Sequence, residues 1–171
     1  MTRLTFAMIA LLAAPAFGAL PVVPASDQAV LLKSKDKKLA ANKKAAYDFY
    51  RIVLRGLRLD QAEKYMRDDY IQHNPNADTG MYGFKAYFTK LGGPKDIPAT
   101  IEGLVAIQAE GDYVTMSFVR EYDDPAQKGH LSEPLSSTPY GKYTTTWFDM
   151  FRFDSNGKIA EHWDSALKAA L

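Results

Sequence analysis

Apolar residues recur along this chain with two periods, and the change from one to the other divides it. From Ser26 a helical pattern begins, with Ser26 or Asp27 as N-cap and Lys33, Lys35, Lys37, Lys38, Lys43 and Lys44 crowding its first half. The second half carries Ala46, Phe49, Tyr50, Val53, Leu54 and Leu57, three and four apart, the stripe of an amphipathic helix that packs on a sheet. Residues 56–59 close it, and Asp60 followed by Glu63 resembles a capping box for a short helix ending near Met66. Tyr70-Ile71-Gln72 then reads as a short strand. Asn74, biased to extended backbone by Pro75, puts His73 at its end. A third helix carries Phe84, Tyr87, Phe88 and Leu91 and stops at Gly92-Gly93-Pro94.

Beyond Thr100 the period falls to two. Strands are expected over residues 100–109 and 113–122, around a turn at Glu110-Gly111-Asp112, and residues 143–164 read as a hairpin turning at Asn156-Gly157. Side chains alternate faces and cross-strand partners share one. With an even loop, Trp147, Asp149, Phe151, Phe153, Lys158, Ala160, His162 and Asp164 take one face, and Phe148, Met150, Arg152, Ile159, Glu161 and Trp163 the other. Only a bulge of odd length changes that sorting. Helices first and antiparallel strands after define an α+β domain with helices on one face of the sheet.

The first hairpin face sets Asp149, His162 and Asp164 among aromatics. Each unpaired charge there costs several kcal/mol once removed from water, so the three must hydrogen-bond one another or line a cavity that holds a polar ligand. Trp163, on the opposite face, is read as a packing or dimer residue.

Composition narrows the function. At 47% hydrophobic residues the chain has ample material for one core, and its net charge of +1 supplies no basic surplus for nucleic acid. The lysine run is a solvated helix face, because aspartates and apolar residues interrupt it. Cysteine is absent, which removes disulfides and thiolate chemistry. Arg3, the apolar run over residues 4–14 and the small residues that follow have the grammar of a signal peptide, too short to span a bilayer, with cleavage after Gly18 or Ala25. The expected organisation is therefore a signal peptide over 1–25, a Lys-rich helical extension over 26–42 and one domain over 43–171, secreted or periplasmic, with no membrane span after processing. The Pro-, Ser- and Gly-rich stretch 123–142, with His130, reads either as a mobile lobe or as a lid over the pocket.

Tyr70-Ile71-Gln72-His73-Asn74-Pro75, the helix with Phe84 and Phe88, Asp149-Met150-Phe151-Arg152 and Glu161-His162-Trp163-Asp164 together resemble the SnoaL-like polyketide cyclase family, within the fold typified by nuclear transport factor 2. The resemblance covers about residues 43–165. It implies N-terminal helices packed in the concave face of a curved antiparallel sheet, a cone-shaped α+β barrel with a deep pocket, often a homodimer through the sheet. In the characterised cyclases a pocket aspartate on the last strand is acid and base in an aldol condensation, without metal or cofactor. By motif position that residue is Asp164, with Asp149 facing the same pocket.

The expected catalytic set is Asp164, His73, His162 and Asp149, and the expected substrate contacts are Asn74, Phe84, Phe88, Trp147 and Phe151. Asp164 would take a proton next to a carbonyl, and His73 or His162 would stabilise the enolate oxygen. His73, His162 and one aspartate would imitate a two-histidine, one-carboxylate metal triad, but no close histidine pair lies on one element, so neither metal nor cofactor is expected. The leading function is acid–base chemistry of the aldol, isomerase or dehydratase kind on a small apolar carbonyl compound. The alternative is a non-catalytic module binding a lipid-like or aromatic molecule in the same pocket.

Overall fold

The computed structural model describes residues 20–124 and 141–169. The expected signal sequence lies largely outside them, and so does most of the 123–142 stretch with its lid reading.

The N-terminal helical pattern is two helices rather than one. A single turn, α1 (Gln28–Leu31), is capped by Asp27, whose carboxylate accepts from the Ala29 amide. Asp36 caps a second helix, α2 (Lys37–Asp48), by accepting from Lys38 and Leu39. An aspartate placed to satisfy free amides starts a new helix wherever it falls, and Asp36 does so inside the expected one. Helix α2 runs across the 42/43 position expected as a domain boundary. From α2 the chain continues as a π-helical segment, Phe49–Arg55, whose wider turn places Phe49, Tyr50 and Val53 against the sheet.

A 3₁₀ turn, Leu59–Lys64, follows. It lacks the expected capping box: its N-cap position is Arg58 without a side-chain cap, and Glu63 pairs with Lys85 instead. Strand β1 (Met66–Gln72) and helix α3 (Gly80–Thr89) precede three longer strands and one short one: β2 (Leu104–Glu110), β3 (Tyr113–Asp123), β4 (Lys142–Phe153) and β5 (Ile159–Asp164).

The five strands form a curved, unclosed α+β sheet in the order β1-β5-β4-β3-β2. Four run antiparallel, and β1 adds to β5 in parallel, with Gln72 beside His162. The aromatic inner face of the sheet and the helical segments share one core: Phe49 meets Phe151 edge-on at 5.8 Å, and Tyr50 stacks on Phe118 at 4.5 Å. Fully burying such side chains contributes roughly 2 kcal/mol each.

The β4–β5 hairpin reaches its register by two odd steps. Asp154 donates to the Lys158 carbonyl, and Gly157, at φ 74°, closes a three-residue loop that only a glycine accommodates without strain. This loop shifts parity by one, so Phe153 pairs with Ile159, and a bulge at Ala160 shifts it back, so Arg152 pairs with Glu161 and Asp149 with Asp164. Ile159 therefore lies in the core at 1% exposure, not on the outer face as alternation predicts, and Lys158 leaves the inner row. Beyond the bulge the expected sorting holds: Asp149, His162 and Asp164 face the helices, while Arg152, Glu161 and Trp163 face out.

Candidate functional site

Between the π segment, α3 and the inner face of the sheet lies a cavity of about 350 Å³. Phe84 and Phe88 of α3 and Phe151 and Trp147 of β4, the four apolar residues expected to touch substrate, make its apolar walls. Asp149, His162, Asp164 and Asn74 make its polar side. That volume lies within the range of small-molecule sites, where apolar walls and converging polar groups occur together.

His73 is not in the cavity. Strand β1 alternates, and its register against β5 puts Tyr70 and Gln72 inward, so His73 falls outside. There its ring stacks on Trp163 at 4.8 Å and 7°, and its Nε2 meets Glu161 Oε1 at 2.8 Å. Arg152 Nε donates to the other oxygen of Glu161 at 2.8 Å. The histidine and the arginine, in that order, hold the Glu161 carboxyl below its usual range. The metal triad built on His73 cannot form, because its two histidines lie on opposite faces.

Gln72 takes the inward place. Its Oε1 accepts from the Asn74 backbone amide at 3.0 Å, and its Nε2 donates to the Tyr70 hydroxyl at 2.7 Å. A backbone amide can only donate, which fixes Oε1 as the acceptor. His162 Nδ1, 2.8 Å from the same Oε1, must then carry a proton. Nε2 of a neutral ring is left with a lone pair, yet it lies 3.2 Å from Asp149 Oδ1, itself a lone-pair atom. That contact is a hydrogen bond only when the His162–Asp149 pair holds a proton between its two atoms. A proton between these two atoms would make the contact a hydrogen bond, in a place where Asp149 is only 6% exposed.

Asp164 stands directly across from Asp149 in the β4–β5 ladder, an arrangement that repels if both are charged and uncompensated. Further donors meet the two carboxylates: Trp147 Nε1 reaches Asp149 Oδ1 at 3.3 Å, Asn74 Nδ2 reaches Asp164 Oδ2 at 2.6 Å, and the Ala166 amide reaches Asp164 Oδ1 at 3.0 Å. Tyr50, beside Asp149, is pushed well above the usual phenol range by burial first and by the Asp149 charge second, so its hydroxyl stays a donor. Burial does the same to Tyr70. Asp149, His162 and Asp164 each offer one ligand atom within 4.8 Å of the others, so this trio, rather than the one with His73, is the set that could hold a cation.

Sequence reasoning missed Gln72, Tyr50, Arg55 and Arg120, all of which line the cavity. The signal for Arg120 was present, since Val114, Met116 and Phe118 alternate toward it on one face of β3. Gln72 required the β1–β5 register, which no local pattern encodes.

The model of the SnoaL-like domain matches residues 46–162, which include the π segment, β1, α3, β4 with Asp149 and β5 as far as His162; Asp164 lies two residues beyond the match. The chain belongs to the SnoaL-like family. Among solved structures, an NTF2-like protein from Anabaena variabilis is similar at 15% identity, over 77% of this chain and 90% of that one, with a TM-score of 0.50. A candidate polyketide cyclase from Acidithiobacillus ferrooxidans is similar at 19% identity, over 77% and 89%, with a TM-score of 0.47. TsrD from Streptomyces laurentii is similar at 18% identity, over 78% and 90%, with a TM-score of 0.42. No curated protein matches. At these identities the likeness of this SnoaL-like chain to solved structures is one of fold.

Proposed function

We propose that this SnoaL-like protein is an acid–base enzyme acting on a small apolar compound with a carbonyl group, by aldol, isomerase or dehydratase chemistry. The observation that carries the reading is the 3.2 Å contact of His162 Nε2 with Asp149 Oδ1, which can hold a transferable proton, next to the Asp164 carboxylate in one cavity. Asp164 removes a proton from the carbon beside the carbonyl. The electron pair of the broken C–H bond moves into the C–C bond, and the carbonyl oxygen takes the stored proton from His162–Asp149, leaving an enol and a protonated Asp164. An aldol acceptor, the original carbon or a leaving group then receives the electrons, and the protons return. The steps need no metal or cofactor. Asn74 and the Ala166 amide hold Asp164 at its place in the cavity. Phe84, Phe88, Trp147 and Phe151 supply the apolar contacts.

Asp164→Asn tests this. It keeps size and hydrogen bonding while removing basicity. Turnover of a ketone found by screening aromatic and terpenoid carbonyl compounds is expected to fall by roughly 10² to 10⁴, with ligand affinity little changed. Full activity in Asp164→Asn overturns the mechanism. Binding without turnover by the wild type across the panel favours the alternative, a non-catalytic module for aromatic or lipid-like ligands.

Export belongs to the same reading, with the segment 1–25 as a cleaved signal and the mature protein secreted or periplasmic. So does a homodimer through the outer face of the sheet, where Phe148 and Tyr113 are exposed.

A further inference from the structure

We propose that the ligand carries a carboxylate, held at the mouth of the cavity by Arg55 and Arg120. The inference rests on the cavity being a small-molecule site and names the class of molecule it takes. Arg120 ends the inner row of β3, after the buried Val114, Met116 and Phe118, and it lies where that row emerges to solvent. Arg55 is the last residue of the π segment and is likewise exposed. Both line the cavity.

Each guanidinium lies over an aromatic ring of the site. Arg120 is 4.5 Å from the centroid of Trp147, and Arg55 is 5.6 Å from that of Tyr50. Stacking fixes the plane of a guanidinium but uses none of its N–H edges. Among the described residues neither forms an ion pair, whereas Arg67 and Arg152 are each bound to a carboxylate. The two rings meet at one point: Trp147 donates to Asp149, and Tyr50 lies beside it. Trp147 pairs with Phe118 across the β3–β4 ladder, and Tyr50 stacks on that same Phe118 at 4.5 Å, so the two rings and the guanidiniums over them lie in one part of the cavity.

The cavity is therefore electrically graded, with two cations at its rim and the two carboxyl groups of Asp149 and Asp164 deeper in. An anionic ligand is drawn to the mouth and its charge repelled from the interior, so it enters with its uncharged, reactive end toward Asp164 and its carboxylate between the arginines. Guanidinium donors in a fixed fork match a carboxylate's two oxygens.

The test compares 1-naphthylacetate with uncharged 1-naphthylacetamide by isothermal titration calorimetry at neutral pH, on the full mature chain. The acid is expected to bind about tenfold more tightly than the amide, the effect of a charge-assisted hydrogen bond. Arg55→Gln and Arg120→Gln should each erode that preference without changing affinity for the amide, Arg120→Lys should keep most of it, and added salt should narrow it. Equal binding of acid and amide by the wild type overturns the inference and leaves the cavity reading standing. So does an equal loss of both probes in the glutamine variants, provided each variant melts as the wild type does. No binding of either probe overturns both.

Discussion

Asp149→Asn isolates the proton store from the rest of the site. In the wild type a single oxygen, Oδ1, is shared by Trp147 Nε1 at 3.3 Å and His162 Nε2 at 3.2 Å. An amide cannot serve both: with oxygen at that position Trp147 is satisfied, and a neutral His162 presents a lone pair to it; with nitrogen there His162 is satisfied and two N–H groups collide at Trp147. One buried hydrogen bond is lost either way, a cost of about 1–3 kcal/mol. The loss is partly offset because a carboxylate at 6% exposure is replaced by a neutral group. The net expectation is about 1–2 kcal/mol of destabilisation and a fall in Tm of roughly 3–8 °C for a domain of this size. Turnover should fall by roughly 10² or more, because no proton remains to meet the carbonyl oxygen. Nitrogen-detected NMR of His162 reads the argument without any substrate. The wild type should show a proton on Nδ1, and Asp149→Asn should show the neutral Nδ1–H tautomer. A wild-type ring protonated on Nε2 alone would falsify the network and the proton store with it.

Further outcomes are expected elsewhere in the chain. The Glu161 carboxyl is held low by His73 and Arg152, so its contribution to stability is complete above the unfolded value near 4.5 and is lost as pH falls through the folded one. Denaturant titrations should therefore find Glu161→Gln less stable than wild type by about 0.5–1 kcal/mol at neutral pH, with the gap closing in acid; a gap that stays constant down to roughly pH 2 contradicts this. N-terminal sequencing of exported protein should begin between Ala19 and Ser26, and recovery of full-length chain from the cytosol alone sinks the export reading. A chain beginning at Ser26 loses the bonds from Val22 N to Thr144 Oγ1 and from Ala25 N to Leu104 O, so it should be less stable than one beginning at Ala19, by about 1–2 kcal/mol. Light scattering should find a dimer that Phe148→Glu converts to monomer; a wild-type monomer at working concentration refutes that interface.

Much of the fold was legible because the physics was local. The aromatic stripe of residues 46–57, the third helix and the alternation of β3 and β4 each follow from one segment burying one face. The placement of Asp149, His162 and Asp164 was legible too, but for an incomplete reason: an odd loop and an odd bulge cancel between Phe153 and Glu161, and alternation alone registers only their sum. Ile159 shows what that sum conceals, since it lies between the two steps and faces the core.

What tertiary structure alone decided is the identity of the polar partners. His73 and Gln72 are neighbours in sequence, and either could have faced the pocket; the parallel pairing of β1 with β5 chose Gln72 and thereby set an acceptor against His162 Nδ1. Alternation along β3 puts Arg120 on the inner face, but its meeting with Arg55 was beyond local pattern, since the two lie on a strand and a helical segment far apart in the chain and both line the one cavity. Side-chain period tells which residues share a face of one element. Which elements face one another is set by burying all their apolar surfaces at once, and a site built between them follows from that packing.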